Sequence, residues 1–186
     1  ALFEENKTKI RLMAFGGKEK TYQAWNAIDK KTWETNPKFN NSGAIYDANW
    51  KSIIGFYDNE TDNYRQNHYQ LLWEQNFNDH WNLETTFHYT KGKGYYENYK
   101  EDAKFSSYGL TPIIIGGTTI KTTDLIRQKW LDNDFYGTTF SANYKSEKLD
   151  VILGGGWNKY EGEHFGKVIW ARYASQSELG DQYYND

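Results

Sequence analysis

The stretch NHYQLLWEQNFNDHWNLETTFHYTKG, residues 67–92, decides the fold class because it alternates. Tyr69, Leu71, Trp73 and Phe77 share one parity, and Gln70, Glu74 and Asn76 hold the other. After Asn78-Asp79-His80 the pattern resumes as Trp81, Leu83, Thr85, Phe87 and Tyr89. Successive side chains of an extended strand point to opposite faces, so the stretch predicts strands at roughly 68–77 and 81–91 joined by a tight turn.

The rest of the chain repeats this organisation. Ile10, Leu12 and Ala14 share a face in KIRLMAF, with Met13 and Phe15 on the opposite parity. Tyr136, Thr138, Phe140, Ala142 and Tyr144 alternate with Gly137, Thr139, Ser141 and Asn143. After the turn KSEK, Leu149, Val151, Leu153, Gly155 and Trp157 alternate with Asp150, Ile152, Gly154, Gly156 and Asn158. Between these strands lie long polar stretches, about 16–66, 92–127 and 159–186, read as loops. Long and short connections therefore alternate strictly. Soluble sheets rarely carry several unstructured connections of that length, whereas outer-membrane barrels combine short periplasmic turns with long extracellular loops.

Composition agrees with apolar stripes set in a polar chain. Aromatic residues make up 18% of the 186 residues, yet the mean hydropathy is -0.94. Disordered chains are poor in aromatics, and ordinary cores lean on aliphatic residues. The formal charge of -3, with scattered Lys and Arg, leaves no footprint for nucleic acid. The absence of cysteine removes disulfides, thiolate metal sites and thiol nucleophiles. No apolar run is long enough for a membrane-spanning helix, a test that membrane β-strands escape.

Aromatic positions sharpen the membrane reading. Tyr69 to Phe77, Trp81 to Tyr89, Tyr136 to Tyr144 and Leu149 to Trp157 are four strands bounded at equal spacing on the apolar face. Each spans roughly 26 Å along the strand, or about 20 Å of membrane normal once tilted. Phe77, Trp81, Tyr144 and Leu149 would form the periplasmic rim of the apolar band, and Tyr69, Tyr89, Tyr136 and Trp157 the outer rim. On the second face, Leu72 and Ile152 are nearly the only large apolar residues, which is poor material for a two-sided core. The rival expectation is a soluble β-sandwich, either a carbohydrate-binding module or a glycoside-processing enzyme.

Several segments then carry a resemblance. GKEKTYQAWN (17–26), YDNETDNYRQNHYQL (57–71), HYTKGKGYYENYKEDA (88–103), DLIRQKWLDNDFYGTTFSANY (124–144) and LGGGWNKYEGEHFGKVIWARY (153–173) resemble the barrel region of TonB-dependent outer-membrane receptors. The resemblance implies location in the cell outer membrane and active uptake of a scarce solute, such as a ferric siderophore, haem, cobalamin or a glycan. In such receptors a barrel of about 22 strands encloses a plug domain, and an inner-membrane TonB complex supplies energy. Here no plug and no TonB box are visible, and GDQYYND lacks the alternating last strand of such barrels. The expectation is therefore an internal fragment, residues 1–186, forming an all-β antiparallel up-and-down sheet of about five or six strands from a large transmembrane β-barrel. Its partners would be outer-membrane lipid, the plug and TonB complex of the full-length receptor, and a small solute. In isolation, its apolar face should be covered by a second copy, a folded-over loop or detergent.

No constellation points to catalysis or to a bound cofactor. Asp58, Glu60 and Asp62 have the alternate-acid spacing of calcium loops, but the glycine and terminal glutamate of an EF-hand are missing, which favours a solvated loop. Glu84 and His88 lie about 13 Å apart along one strand, and His68, His80 and His164 show no pairing. Asp132 and Asp134 imitate a glycosidase pair only in spacing. GKGYY (92–96) and GGG (154–156) lack the Walker ending. The aromatic loop residues Trp25, Trp33, Trp50, Tyr95, Tyr96 and Tyr99 are the candidate ligand contacts, because aromatic faces grip sugars, porphyrins and catecholate rings. Lys91, Lys93, Lys100 and Arg65 nearby lean towards an anionic ligand.

Overall fold

The computed structural model describes residues 1–185. The chain is antiparallel β throughout its main sheet, whose strands are β1 (Leu2–Glu5), β2 (Thr8–Tyr22), β5 (Thr61–Asn76), β6 (Trp81–Lys104), β9 (Thr122–Lys145), β10 (Asp150–Ala171) and β11 (Gln182–Asn185). They stand in that same order across the sheet, so the main chain meanders up and down. Two small hairpins are inserted: β3 (Ala44–Tyr46) with β4 (Ile53–Phe56), and β7 (Ile113–Ile115) with β8 (Thr118–Ile120). The second turns on Gly116 and Gly117 at φ +54° and +80°, the paired positive angles that a two-residue hairpin of this twist requires. One short helix, α1 (Lys30–Thr35), starts where the Asp29 carboxylate accepts from Thr32 N at 3.0 Å.

Two expectations are corrected. The sheet has seven strands rather than five or six, because the short terminal strands β1 and β11 both pair. The three long loops are also shorter than read: β2 runs on to Tyr22, β5 starts at Thr61, β6 continues to Lys104, β9 begins at Thr122 and β10 continues to Ala171. In these extensions both faces carry polar or tyrosine side chains, so the period-two apolar signal vanishes although the backbone ladder does not. Within the last stretch read as loop, Gln182–Asn185 forms β11 against residues 165–167 of β10.

By compactness the chain divides into two units. The first comprises residues 1–18, 65–93 and 132–162 and is a bare sheet: among the described residues, none of the buried hydrophobic ones falls in it. Its register is set at the tight turns. Phe77 N donates to Trp81 O at 3.0 Å, while His80 N and Trp81 N both donate to Asn78 Oδ1 at 2.9 Å. Ser146 N donates to Leu149 O at 2.8 Å in the second hairpin. One face carries Leu12, Phe87, Phe140, Val151 and Leu153, all exposed. Aromatic pairs bound this face: Tyr69 on Tyr89 and Tyr136 on Trp157, each at 6.0 Å, towards one end, and Trp81 on Tyr144 at 5.0 Å towards the other. The opposite face is polar, with His68 hydrogen-bonded to Thr90 and stacked by Phe15 at 4.8 Å.

The second unit comprises residues 19–64, 94–131 and 163–186 and holds the core: Ala103, Phe105, Leu110, Leu125, Val168 and Ala171. Phe105 and Leu125 are 0% exposed. The segment after β6 tucks in through a 3-10 turn at Phe105–Tyr108, which places Phe105 and Leu110 on the Leu125 and Val168 side chains. Phe105→Ala is expected to cost about 3–5 kcal/mol in urea unfolding, whereas Leu12→Ala on the exposed sheet should stay within roughly 0.5 kcal/mol.

Candidate functional site

The strand extensions of the second unit carry a trough of about 540 Å³. Its floor is Gly94, where an added Cβ would stand 2.2 Å from Asn63 O and 2.7 Å from the Tyr64 ring, so only glycine lets the two strands and that ring come together. The walls are Asp62 and Tyr64 of β5, Tyr96 of β6, Lys129 and Leu131 of β9, His164 of β10 and Tyr184 of β11, with Glu19 of β2 at the rim. On each strand these side chains share one parity, which is why strands from opposite ends of the sequence present one surface. Tyr95 and Trp130, of the other parity, border it at its edge. Trp25 stands edge-on to Tyr96 at 5.0 Å, and Lys129 Nζ lies 5.5 Å over the Tyr184 ring. The trough therefore offers aromatic faces for a ring-shaped solute, one ammonium and two carboxylates for hydrogen bonding.

A buried polar network holds the segment 23–60 beside the trough. Asn98, 5% exposed, donates from Nδ2 to Gln23 Oε1 at 2.7 Å and to Glu60 Oε1 at 2.9 Å. Glu60 Oε2 accepts from Tyr99 N at 3.0 Å, and Gln23 Nε2 donates to Thr61 O at 2.9 Å and to Glu97 O at 3.0 Å. On the other parity Glu97 accepts from Tyr57 Oη, Asn59 Nδ2 at 2.6 Å and Gln128 Nε2 at 2.7 Å. Such groups are tolerated inside a protein only when each finds partners. Burial, then the hydrogen bond to Glu97, pushes the Tyr57 phenol well above its ordinary range. Burial and then the Asp124 carboxylate push Tyr99 up to about 12, and burial holds the Lys100 ammonium below its usual value.

The six aromatic candidates do not form one site. Tyr96 lines the trough and Trp25 flanks it. Tyr95 touches the trough's edge but packs on Trp130 at 4.5 Å, and Trp130 stacks on Phe165 at 5.8 Å. Tyr99 lies between Tyr57 at 6.0 Å and Trp170 at 6.5 Å. Trp33 is exposed on α1, and Trp50, at φ +58°, is exposed and stacks on Tyr46 at 5.8 Å. Sequence reading missed Glu19, Tyr64, Lys129 and Tyr184, and weighed Asp62 and His164 only as a calcium-type acid and an unpaired histidine, since it placed all of them in or beside loops.

The charged candidates also resolve. Lys91 and Lys93 are committed to carboxylates: Lys91 to Asp132 and Asp134, both at 2.8 Å, and Lys93 to Asp132 at 2.6 Å. These ammonium groups hold the carboxyls of Asp132 and Asp134 below the usual range. Asp132 and Asp134 are thus charge partners in a cross-strand ladder. Glu60 turns to Asn98 and Tyr99 while Asp62 lines the trough, so the acids of YDNETDN do not converge, and no metal-sized cluster occurs among the described residues. Compared with protein-family models, with curated proteins and with solved structures, the chain matches none.

A raised phenol contributes stability that is complete below its unfolded value near 10 and is lost as pH climbs through its folded value. For Tyr99 that window runs from 10 to about 12. Tyr99→Phe should therefore flatten the alkaline limb of unfolding midpoint against pH while leaving the acid limb unchanged.

Proposed function

We propose that this chain is part of an outer-membrane β-barrel receptor of the TonB-dependent kind, which takes up a scarce solute and meets it in the trough beneath Tyr96. The observation that carries the reading is the exposed apolar face bounded by aromatic pairs at both ends. Water penalises such a face, whereas a bilayer about 25 Å thick in its apolar band, with aromatic girdles at both interfaces, solvates it. Strand length supports the same reading. β6 and β9 have 24 residues each and β10 has 22, about twice what a tilted strand needs to span. The excess lies on the side of the long connections.

On this reading the polar face of the first unit, with His68, Glu74 and Glu84, borders a hydrated lumen. The plug and the TonB complex would act through the full-length receptor, and the chain itself performs no catalysis. A ferric chelate, haem, cobalamin or a glycan would be recognised by stacking on Tyr96 and Tyr64 and by polar contacts from Lys129 and Asp62. A soluble sandwich would need a second sheet over the apolar face, and the first unit consists only of segments of the one sheet.

Lipid-quenching fluorescence tests the membrane part. In bilayers with brominated acyl chains, emission from Trp81 and Trp157 should be quenched and that from Trp33 and Trp50 should not, as read from single Trp→Phe variants. A monodisperse, lipid-free monomer with Leu153 and Phe140 in water would overturn the reading. For the solute, Tyr96→Ala is expected to weaken binding of the cognate chelate or sugar by about tenfold, roughly 1.4 kcal/mol, while Trp33→Ala leaves it unchanged.

A further inference from the structure

Beyond the aromatic pairs Tyr69–Tyr89 and Tyr136–Trp157, the same face of the first unit changes abruptly to charge. Tyr89 Oη donates to Asp134 Oδ1, and Tyr136 Oη donates to Glu161 Oε2 at 3.0 Å. Lys159 Nζ meets Glu161 at 2.6 Å, and Lys91 and Lys93 meet Asp132 and Asp134. The two tyrosine rings thus lie at a boundary, with their bodies towards the apolar band and their hydroxyls towards the ionic belt.

Two more cations belong to this belt. Gly16 lies against Asn67, so close that an added Cβ would stand only 2.5 Å from Asn67 Oδ1, and Asn76 N donates to Lys7 O at 2.8 Å, which sets β2 antiparallel to β5. Two steps further along both strands, Lys18 and Arg65 stand opposite each other. Tyr69 stacks on Tyr89, so four steps on, Arg65 stands opposite Lys93. Lys18 and Arg65 are exposed, and among the described residues neither has a carboxylate within ion-pair distance. The belt therefore sets five cations, Lys18, Arg65, Lys91, Lys93 and Lys159, against the carboxylates of Asp132, Asp134 and Glu161. It is cationic in a chain whose formal charge is -3.

We propose that this belt is a docking surface for the phosphorylated headgroup of a membrane lipid, with Lys18 and Arg65 as its phosphate contacts and the Lys91–Asp132–Lys93 ladder as its frame. The proposal rests on the membrane reading above. Charge complementarity and place select the occupant. Arginine grips phosphate through a planar fork and lysine as a mobile point charge. A surface immediately beyond an interfacial tyrosine row is at headgroup depth. The paired lysines are held by their aspartates, which leaves Lys18 and Arg65 to make the contact.

Flotation with vesicles tests the proposal, using the whole chain folded in detergent and diluted into phosphatidylcholine vesicles with or without bisphosphorylated lipid A. The native protein should float with both and gain severalfold on the phosphorylated lipid, the gain falling as salt rises. Lys18→Gln with Arg65→Gln should abolish most of that gain, since each cation near the headgroups contributes to it, and leave flotation on phosphatidylcholine unchanged. Arg11→Gln, on the opposite parity of β2, should behave as the native chain. An equal gain in the double variant, no gain in the native chain, or full displacement by millimolar inorganic phosphate would each overturn the belt proposal while leaving the membrane reading intact. Failure to float on either vesicle would overturn both.

Discussion

A one-residue slip at the Asn78 turn would exchange the two faces of every strand that follows. Side chains alternate with period two, so register is what separates Tyr69, Phe87, Phe140 and Val151 from His68, Glu74, Glu84 and His88. The turn is accordingly fixed by side-chain and backbone groups together. Asn78 Oδ1 accepts from two successive amides, and the Phe77–Trp81 bond closes the hairpin. His80 adds a link to the next strand through Lys145: its backbone oxygen accepts from Lys145 N at 2.9 Å, and its ring nitrogen meets Lys145 O at 2.8 Å. Once register is set there, the aromatic pairs and the Lys91–Asp132 ladder fall into line without further instruction.

The same ladder runs through regions of opposite chemistry. In the first unit it carries an apolar face with no buried core among the described residues, and in the second it carries a small core around Phe105 and Leu125 together with a dense set of buried amides and carboxylates. Asn98 stands at the centre of that set, because only an amide can donate to Gln23 and Glu60 while accepting from Arg127, here at 3.4 Å. The network turns the segment 23–60 from a tethered loop into one pinned to β6 through Gln23 and Glu60, with Trp25 set against Tyr96 of the trough. That change matters for recognition, since a solute gains most from contacts whose ordering has already been done by the fold.

The alternating stretches were legible because one face of each is apolar. The hairpin of residues 67–92, the strand around Tyr136–Tyr144 and the strand from Leu149 to Trp157 all lie within β5, β6, β9 and β10 or the turns that join them. Their extensions were illegible for the complementary reason. In GKGYYENYKEDA and YEGEHFGKVIWA tyrosine, glycine and charged residues occupy both parities, and no periodicity distinguishes a two-sided polar strand from a loop. The trough was lost with them. Tyr96 and Trp25 stand out by their aromatic faces alone, while Asp62, Lys129 and His164 look ordinary until the register aligns them.

Local alternation and aromatic spacing by themselves determined that the chain is an antiparallel sheet with one apolar face and tight turns at one end, because period-two patterning is a property of neighbouring residues. Tertiary structure alone decided which polar residues meet. Glu97 finds Tyr57 and Gln128, Asn98 finds Gln23 and Glu60, and Gly94 gives way to Tyr64, across separations that no local pattern encodes. Those contacts depend on the cumulative register of several strands, and register is a relation between strands rather than a property of any one of them.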